Sequence, residues 1–104
     1  MSLTTDPNDE RLKQVRPDGQ QEAYLVLSEE ERAKGFVRPL RRAYVHASCG
    51  QRTDMGLALC ETYARNPSFY GATFCSACRT HFPLKDSAGV RQFHWVEDGQ
   101  GVGE

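Results

Sequence analysis

Four cysteines, Cys49, Cys60, Cys75 and Cys78, and three histidines, His46, His81 and His94, are the residues of this chain best equipped for chemistry. Cys75-Ser-Ala-Cys78 has the C-x-x-C spacing of a redox pair or of half a metal site. A redox pair of the thioredoxin kind opens a helix after a buried strand, inside a βαβ pattern. Here Thr73-Phe74 leads in and Arg79-Thr-His-Phe-Pro83 leads out, and Pro83 stops any helix within a turn. The metal reading needs two more ligands, and His46-Ala-Ser-Cys49 offers them at the same i, i+3 spacing. A tight turn of that length points both donor atoms at one cation. Gly50, just after the second ligand, frees the backbone to turn and to aim N–H groups at the thiolate. Two such turns facing each other make a closed four-coordinate site for one structural Zn2+, with His46, Cys49, Cys75 and Cys78 as ligands. His81, three residues after Cys78, stays open as a replacement for His46. Cys60 lies within a helical pattern and reads as a small buried apolar residue. His94, between Phe93 and Trp95, reads as an exposed strand position.

The elements that must position these ligands follow from local pattern. Arg41 to His46 reads as a strand running into the first turn. Thr53-Asp54-Met55 opens the main helix, capped by Thr53 or Asp54, with Met55, Leu59 and Tyr63 on one face and Leu57, Ala58 and Ala64 widening the stripe. Asn66-Pro67 stops it. Ala72-Thr73-Phe74 runs into the second turn, and Arg79 to Leu84 leaves it extended. Val90 to Val96 alternates, with Phe93 and Trp95 toward the core. Upstream, Ser28-Glu29-Glu30-Glu31 is a capping box opening a short helix over 28–34, closed by Gly35. Tyr24 to Leu27 reads as extended, and residues 1–22, rich in charge and poor in apolar groups, as a disordered tail. The expected fold is therefore α+β: a small antiparallel sheet over 23–104 with a helix inserted between two metal knuckles, an arrangement that resembles a zinc ribbon.

Size and composition say why a metal would be needed. The chain has 104 residues, of which 38% are apolar and 26% charged. That is one domain with a thin core, and its mean hydropathy is −0.64. A structural zinc site contributes about 10–16 kcal/mol of apparent binding free energy, much of it as folding energy. The N-terminal stretch has neither the basic nor the apolar region of a secretory signal, so a cytoplasmic location with reduced thiols is expected. No run reaches the roughly 18 apolar residues of a membrane span, and no membrane partner is expected.

Charge is uneven although the net is only −1. Between Arg32 and Arg52 stand Arg32, Lys34, Arg38, Arg41, Arg42 and Arg52, with no acidic residue among them. Phe36 and Tyr44 are interleaved. Arg38, Arg41 and Arg42 are thus candidate phosphate or nucleic-acid contacts, against the alternative of a solvated basic face balancing the acidic ends of the chain.

Several strings resemble small uncharacterised proteins encoded by bacterial phages and prophages. They are Glu30 to Pro39, Thr53-Asp-Met55, Glu61 to Arg65, Pro67 to Cys75 and His81-Phe-Pro83, and the likeness spans about residues 24–104. The loop Lys85–Gln92 and Cys60 depart from that pattern. The resemblance implies a zinc-binding fold in a phage context and no assigned reaction. A closed site leaves no coordination position for catalysis, and the sequence holds no paired carboxylates, Ser/His/Asp set or Gly-rich phosphate loop. The expectation is a non-catalytic binding module for a protein or nucleic acid, without a small-molecule substrate. A small metalloenzyme or thiol-redox protein, with Glu61 and His81 near the ligands, and a virion component using Phe69, Tyr70 and Trp95 are the alternatives.

Overall fold

Two β-hairpins carry the turns singled out above. The computed structural model, which describes residues 2–104, forms the first from β3 (Ala43–His46) and β4 (Arg52–Asp54), paired antiparallel with Tyr44 opposite Thr53. The second joins β5 (Ala72–Cys75) and β6 (Thr80–Pro83), with Phe74 opposite His81. A last strand, β7 (Phe93–Trp95), pairs antiparallel with the other side of β3, giving the order β4-β3-β7. Helix α2 (Leu57–Arg65) bridges the hairpins. The fold is α+β with mostly antiparallel strands and few helices. No helix among the described residues is long and apolar enough to cross a membrane.

The core is aromatic. Tyr44, Tyr63, Phe93 and Trp95 pack together with Cys75, Leu84 and Val102, and Met55, Tyr70 and Phe82 lean against them. Tyr44 meets Phe93 and Trp95 edge-on at 5.4 and 6.1 Å between ring centroids, and Tyr63 meets Trp95 edge-on at 5.3 Å. Such edge-to-face pairs each add about 0.5–1.5 kcal/mol beyond burial. The alternation expected for β7 holds: Phe93 and Trp95 are buried and His94 is half-buried between them.

The start of α2 differs from expectation. Thr53 and Asp54 do not cap the helix; they lie in β4, and Gly56 is the N-cap residue with no side-chain cap. Pairing with β3 claims Arg52 to Asp54, and the Met55 N–H continues it to the Arg42 carbonyl at 2.8 Å. A three-residue strand after a knuckle gives no periodic signal, whereas the cap rule does. The helix then buries Leu59, Cys60, Thr62, Tyr63 and Ala64 and leaves Leu57 exposed. The capping box forms as read: Ser28 Oγ accepts from the Glu31 N–H at 3.2 Å, over a shorter helix α1 (Glu29–Arg32).

The N-terminal segment corrects a second expectation. Residues 2–22, expected as part of a tail over 1–22, carry secondary structure; Met1 lies outside the described residues. Strand β1 (Ser2–Thr4) pairs in parallel with β2 (Ala23–Leu25), and a 3-10 turn covers Glu10–Lys13. Arg16-Pro17-Asp18-Gly19 is a β-turn whose Gly19 N–H donates to the Arg16 carbonyl at 2.9 Å, joining Val15 and Gln21 across an antiparallel bridge. Composition missed this because the ordering comes from contacts far along the chain. Ala23 is fully buried, Tyr70 donates its hydroxyl to the Leu25 carbonyl, and the Tyr24 hydroxyl lies 3.0 Å from His81 Nε2. Gly19 approaches the second knuckle so closely that a Cβ there would sit 1.8 Å from the Arg79 carbonyl oxygen.

Candidate metal centre

Each knuckle begins at the end of a strand. His46 closes β3 and Cys75 closes β5, so both first ligands inherit the orientation of a paired strand. The turns then repeat one geometry. The Gly50 N–H donates to the His46 carbonyl at 2.7 Å, and the Arg79 N–H donates to the Cys75 carbonyl at 2.8 Å. Both residues after the second cysteine are left-handed, Gly50 at φ 71° and Arg79 at φ 56°. A non-glycine residue in that region costs about 1–2 kcal/mol, so the second turn is held against its local preference.

These turns bring His46, Cys49, Cys75 and Cys78 together, with one ligand atom of each lying within 4.8 Å of all the others. Cys49 Sγ is 3.5 Å from Cys75 Sγ, and Cys78 Sγ is 3.7 Å from His46 Nδ1. The group could hold a metal ion. The imidazole stacks on Phe93 at 4.7 Å between centroids, packs against Phe82 at 4.5 Å, and is 1% exposed. Ser48 Oγ lies 3.1 Å from Nε2. With the proton on Nε2 donated to Ser48, Nδ1 presents its lone pair to the three sulfurs, an arrangement that fixes both tautomer and ring plane. The hairpins are also clasped beside the centre: Thr53 Oγ1 accepts from the Ser76 N–H at 3.2 Å and meets Ser76 Oγ at 3.0 Å.

The sulfurs compete for ionisation. Burial pushes the Cys75 thiol up, but the Cys78 N–H, the Cys49 and Cys78 thiols and the Ala77 N–H more than offset it and hold it below the ordinary thiol value. Hydrogen bonding to Cys75, then burial and Cys49, push Cys78 up to about 11. One thiolate therefore forms at its neighbours' expense, a conflict that a bound divalent cation removes because it favours all three ionised sulfurs at once.

The other candidates lie apart from this group. His81, the alternative nitrogen ligand, is half-buried against Tyr24 and Phe74, and burial lowers its pKa. Cys60 is 1% exposed in α2, its thiol faces the Met55 carbonyl at 3.7 Å, and burial pushes it up to about 11. Trp95 is 2% exposed and belongs to the core, so it is no surface contact.

Of the basic stripe, Arg41 is a correction. It is 3% exposed, stacks 4.8 Å from the Trp95 ring centroid, and its Nη1 donates to Asp98 at 3.1 Å and Gln100 at 2.6 Å. A guanidinium so enclosed packs with the core rather than lying on the exposed basic face. Arg38 and Arg42 are exposed, but Arg38 Nε donates to the Glu104 carbonyl at 3.3 Å and the Arg42 N–H donates to the Glu97 carboxylate. Arg52 pairs with Asp54 at 2.8 Å. The acidic end of the chain folds back over the stripe.

Sequence reasoning passed over Ser48, the packing of Phe82 and Phe93 on His46, the Thr53–Ser76 clasp and Tyr24. A signal existed for Thr53 alone: Tyr44-Val-His46 and Arg52-Thr-Asp54 flank the knuckle symmetrically, as hairpin strands must. No family model, curated protein sequence or solved structure matches the chain.

Proposed function

We propose that this chain is a small zinc protein, in which one structural Zn2+ held by His46, Cys49, Cys75 and Cys78 staples a ribbon-like pair of hairpins, and that it works as a non-catalytic binding module. The observation that carries this is the convergence of four soft or borderline donors within 4.8 Å. Zn–S bonds of about 2.3 Å set at tetrahedral angles put sulfurs about 3.8 Å apart. Cys49 Sγ and Cys75 Sγ, 3.5 Å apart, lie close to that value, and the 3.7 Å from Cys78 Sγ to His46 Nδ1 lies close to the roughly 3.6 Å expected of one sulfur and one nitrogen ligand. Cys3His is a structural donor set that leaves no open position for a reacting water. Hard-cation chemistry is disfavoured, since no carboxylate joins the group.

A protein is the favoured partner. Phe36, Val37 and Leu40 are exposed on the loop after α1, while Arg41 is buried against Asp98 and Arg38 bonds the Glu104 end. The phage resemblance of residues 24–104 and a location in the bacterial cytoplasm complete the reading. Metal analysis of the purified protein and its variants tests it. One zinc per chain is expected, lost on Cys49→Ser, Cys75→Ser or His46→Ala, and retained on His81→Ala. A fully folded protein free of metal, or zinc that survives His46→Ala and leaves with His81→Ala, overturns the assignment. Any nucleic-acid affinity that falls steeply with salt would overturn the choice of a protein partner.

A further inference from the structure

We propose that the four-residue group is a redox switch: a hydroperoxide oxidises Cys78, Cys75 closes a disulfide with it, and the ion is released. The switch rests on the zinc reading above and adds what regulates that same site.

The four candidate ligands are not equally protected. His46 and Cys75 are 1% and 0% exposed, Cys49 is half-buried, and Cys78 alone among them is exposed. Ser76 to Thr80 are exposed throughout, so nothing in its own turn shields Cys78. An oxidant arriving from solvent therefore meets one sulfur of the three first. Zinc ligation keeps a cysteine as thiolate, and thiolate character together with access decides which cysteine is oxidised. Cys60, buried in α2 and outside the group, is an internal reference that the oxidant does not reach.

Chain geometry selects the thiol that answers. Cys75 and Cys78 share one turn, closed by the Arg79 N–H on the Cys75 carbonyl at 2.8 Å. They stay neighbours whatever happens to the rest of the centre. Cys49 belongs to the other hairpin and approaches Cys75 Sγ, at 3.5 Å, only across the centre. Closing the shorter loop costs less chain entropy, so Cys75 resolves Cys78 ahead of Cys49.

The chemistry balances with hydrogen peroxide as the co-reactant. The Cys78 thiolate attacks one peroxide oxygen, the O–O bond breaks, hydroxide leaves, and Cys78 becomes a sulfenic acid. The Cys75 thiolate then attacks the Cys78 sulfur, the S–S bond forms, the S–O bond breaks, and a second hydroxide leaves. The two sulfurs have given two electrons to the two peroxide oxygens. Only His46 and Cys49 remain of the donor set, too few for a structural zinc site. Arg79, left-handed at φ 56°, gives the emptied turn a local reason to relax. A dithiol reductant and fresh zinc restore the starting state.

The test treats the zinc-loaded full chain with hydrogen peroxide and reads zinc release with a chromophoric chelator. One zinc is expected to leave for each Cys75–Cys78 disulfide found by non-reducing peptide mass spectrometry, and dithiothreitol with zinc should reverse both. Dimedone present from the start should label Cys78 and spare Cys49, Cys60 and Cys75. Cys78→His, which keeps four ligands but removes the exposed sulfur, should release zinc about tenfold more slowly. If that variant does not hold zinc, the dimedone label on the unaltered chain decides. Label on Cys49 or Cys75 instead, a disulfide that includes Cys49, or zinc retained under peroxide would overturn the switch and leave a plain structural staple. A chain that holds no zinc before oxidation would overturn the zinc reading itself, and the switch with it.

Discussion

The two knuckles have the same spacing and the same turn, yet the protein supports them differently. The first lies in the three-stranded sheet: β3 pairs on both sides, His46 packs against Phe82 and Phe93, and glycine occupies the left-handed position. The second lies on a two-stranded hairpin whose Cys78 is exposed and whose left-handed residue is Arg79. What steadies it comes from outside the hairpin: Gly19 packed on the Arg79 carbonyl, Tyr24 on His81, Thr53 on Ser76. One half of the centre is thus built by the core, and the other is braced by the N-terminal segment and the first hairpin.

Removing the metal breaks this comparison most forcefully. With a strong chelator, amide protection of β5 and β6 should fall to that of an unfolded chain, while Tyr44 and Val45 in β3, paired with β4 and β7, keep measurable protection. Native hydrogen exchange by NMR reads this directly, and equal loss in both hairpins would erase the distinction. Next in size is Gly19→Ala. The new Cβ would collide with the Arg79 carbonyl, and Gly19 has φ 91°, so a loss of about 2–3 kcal/mol in denaturant unfolding is expected. That loss should appear with faster zinc release to a chromophoric chelator. A variant as stable as the parent would show that the strap does not brace the knuckle. The smallest effects sharpen the comparison by opposite signs. Arg79→Gly should stabilise by about 0.5–1 kcal/mol by relieving the left-handed strain, and Gly50→Ala should destabilise by about 1 kcal/mol, although nothing lies within 4 Å of its added Cβ. Thermal unfolding of the two variants at saturating zinc checks both signs.

How much of this could be read beforehand depended on range along the chain. The i, i+3 spacing of His46/Cys49 and Cys75/Cys78 is local, and a turn of that length has few ways to arrange two donors, so the four-residue group was legible. The Ser28 capping box and the inward alternation of Phe93 and Trp95 were legible for the same reason. The Thr53 cap was misread because pairing with β3 outweighed the cap preference. Arg41 looked like surface charge because nothing in Pro39-Leu-Arg-Arg42 reveals that Trp95, Asp98 and Gln100 will enclose it.

Residue types and short spacings, by themselves, determined which atoms could ligate and where the turns fall, since both are set by covalent reach and backbone sterics over a few residues. Only the tertiary structure brought His46 rather than His81 beside the three cysteines, packed residues 2–22 against the second knuckle and buried Arg41. Those outcomes rest on contacts between segments tens of residues apart, where desolvation and packing outweigh local preference.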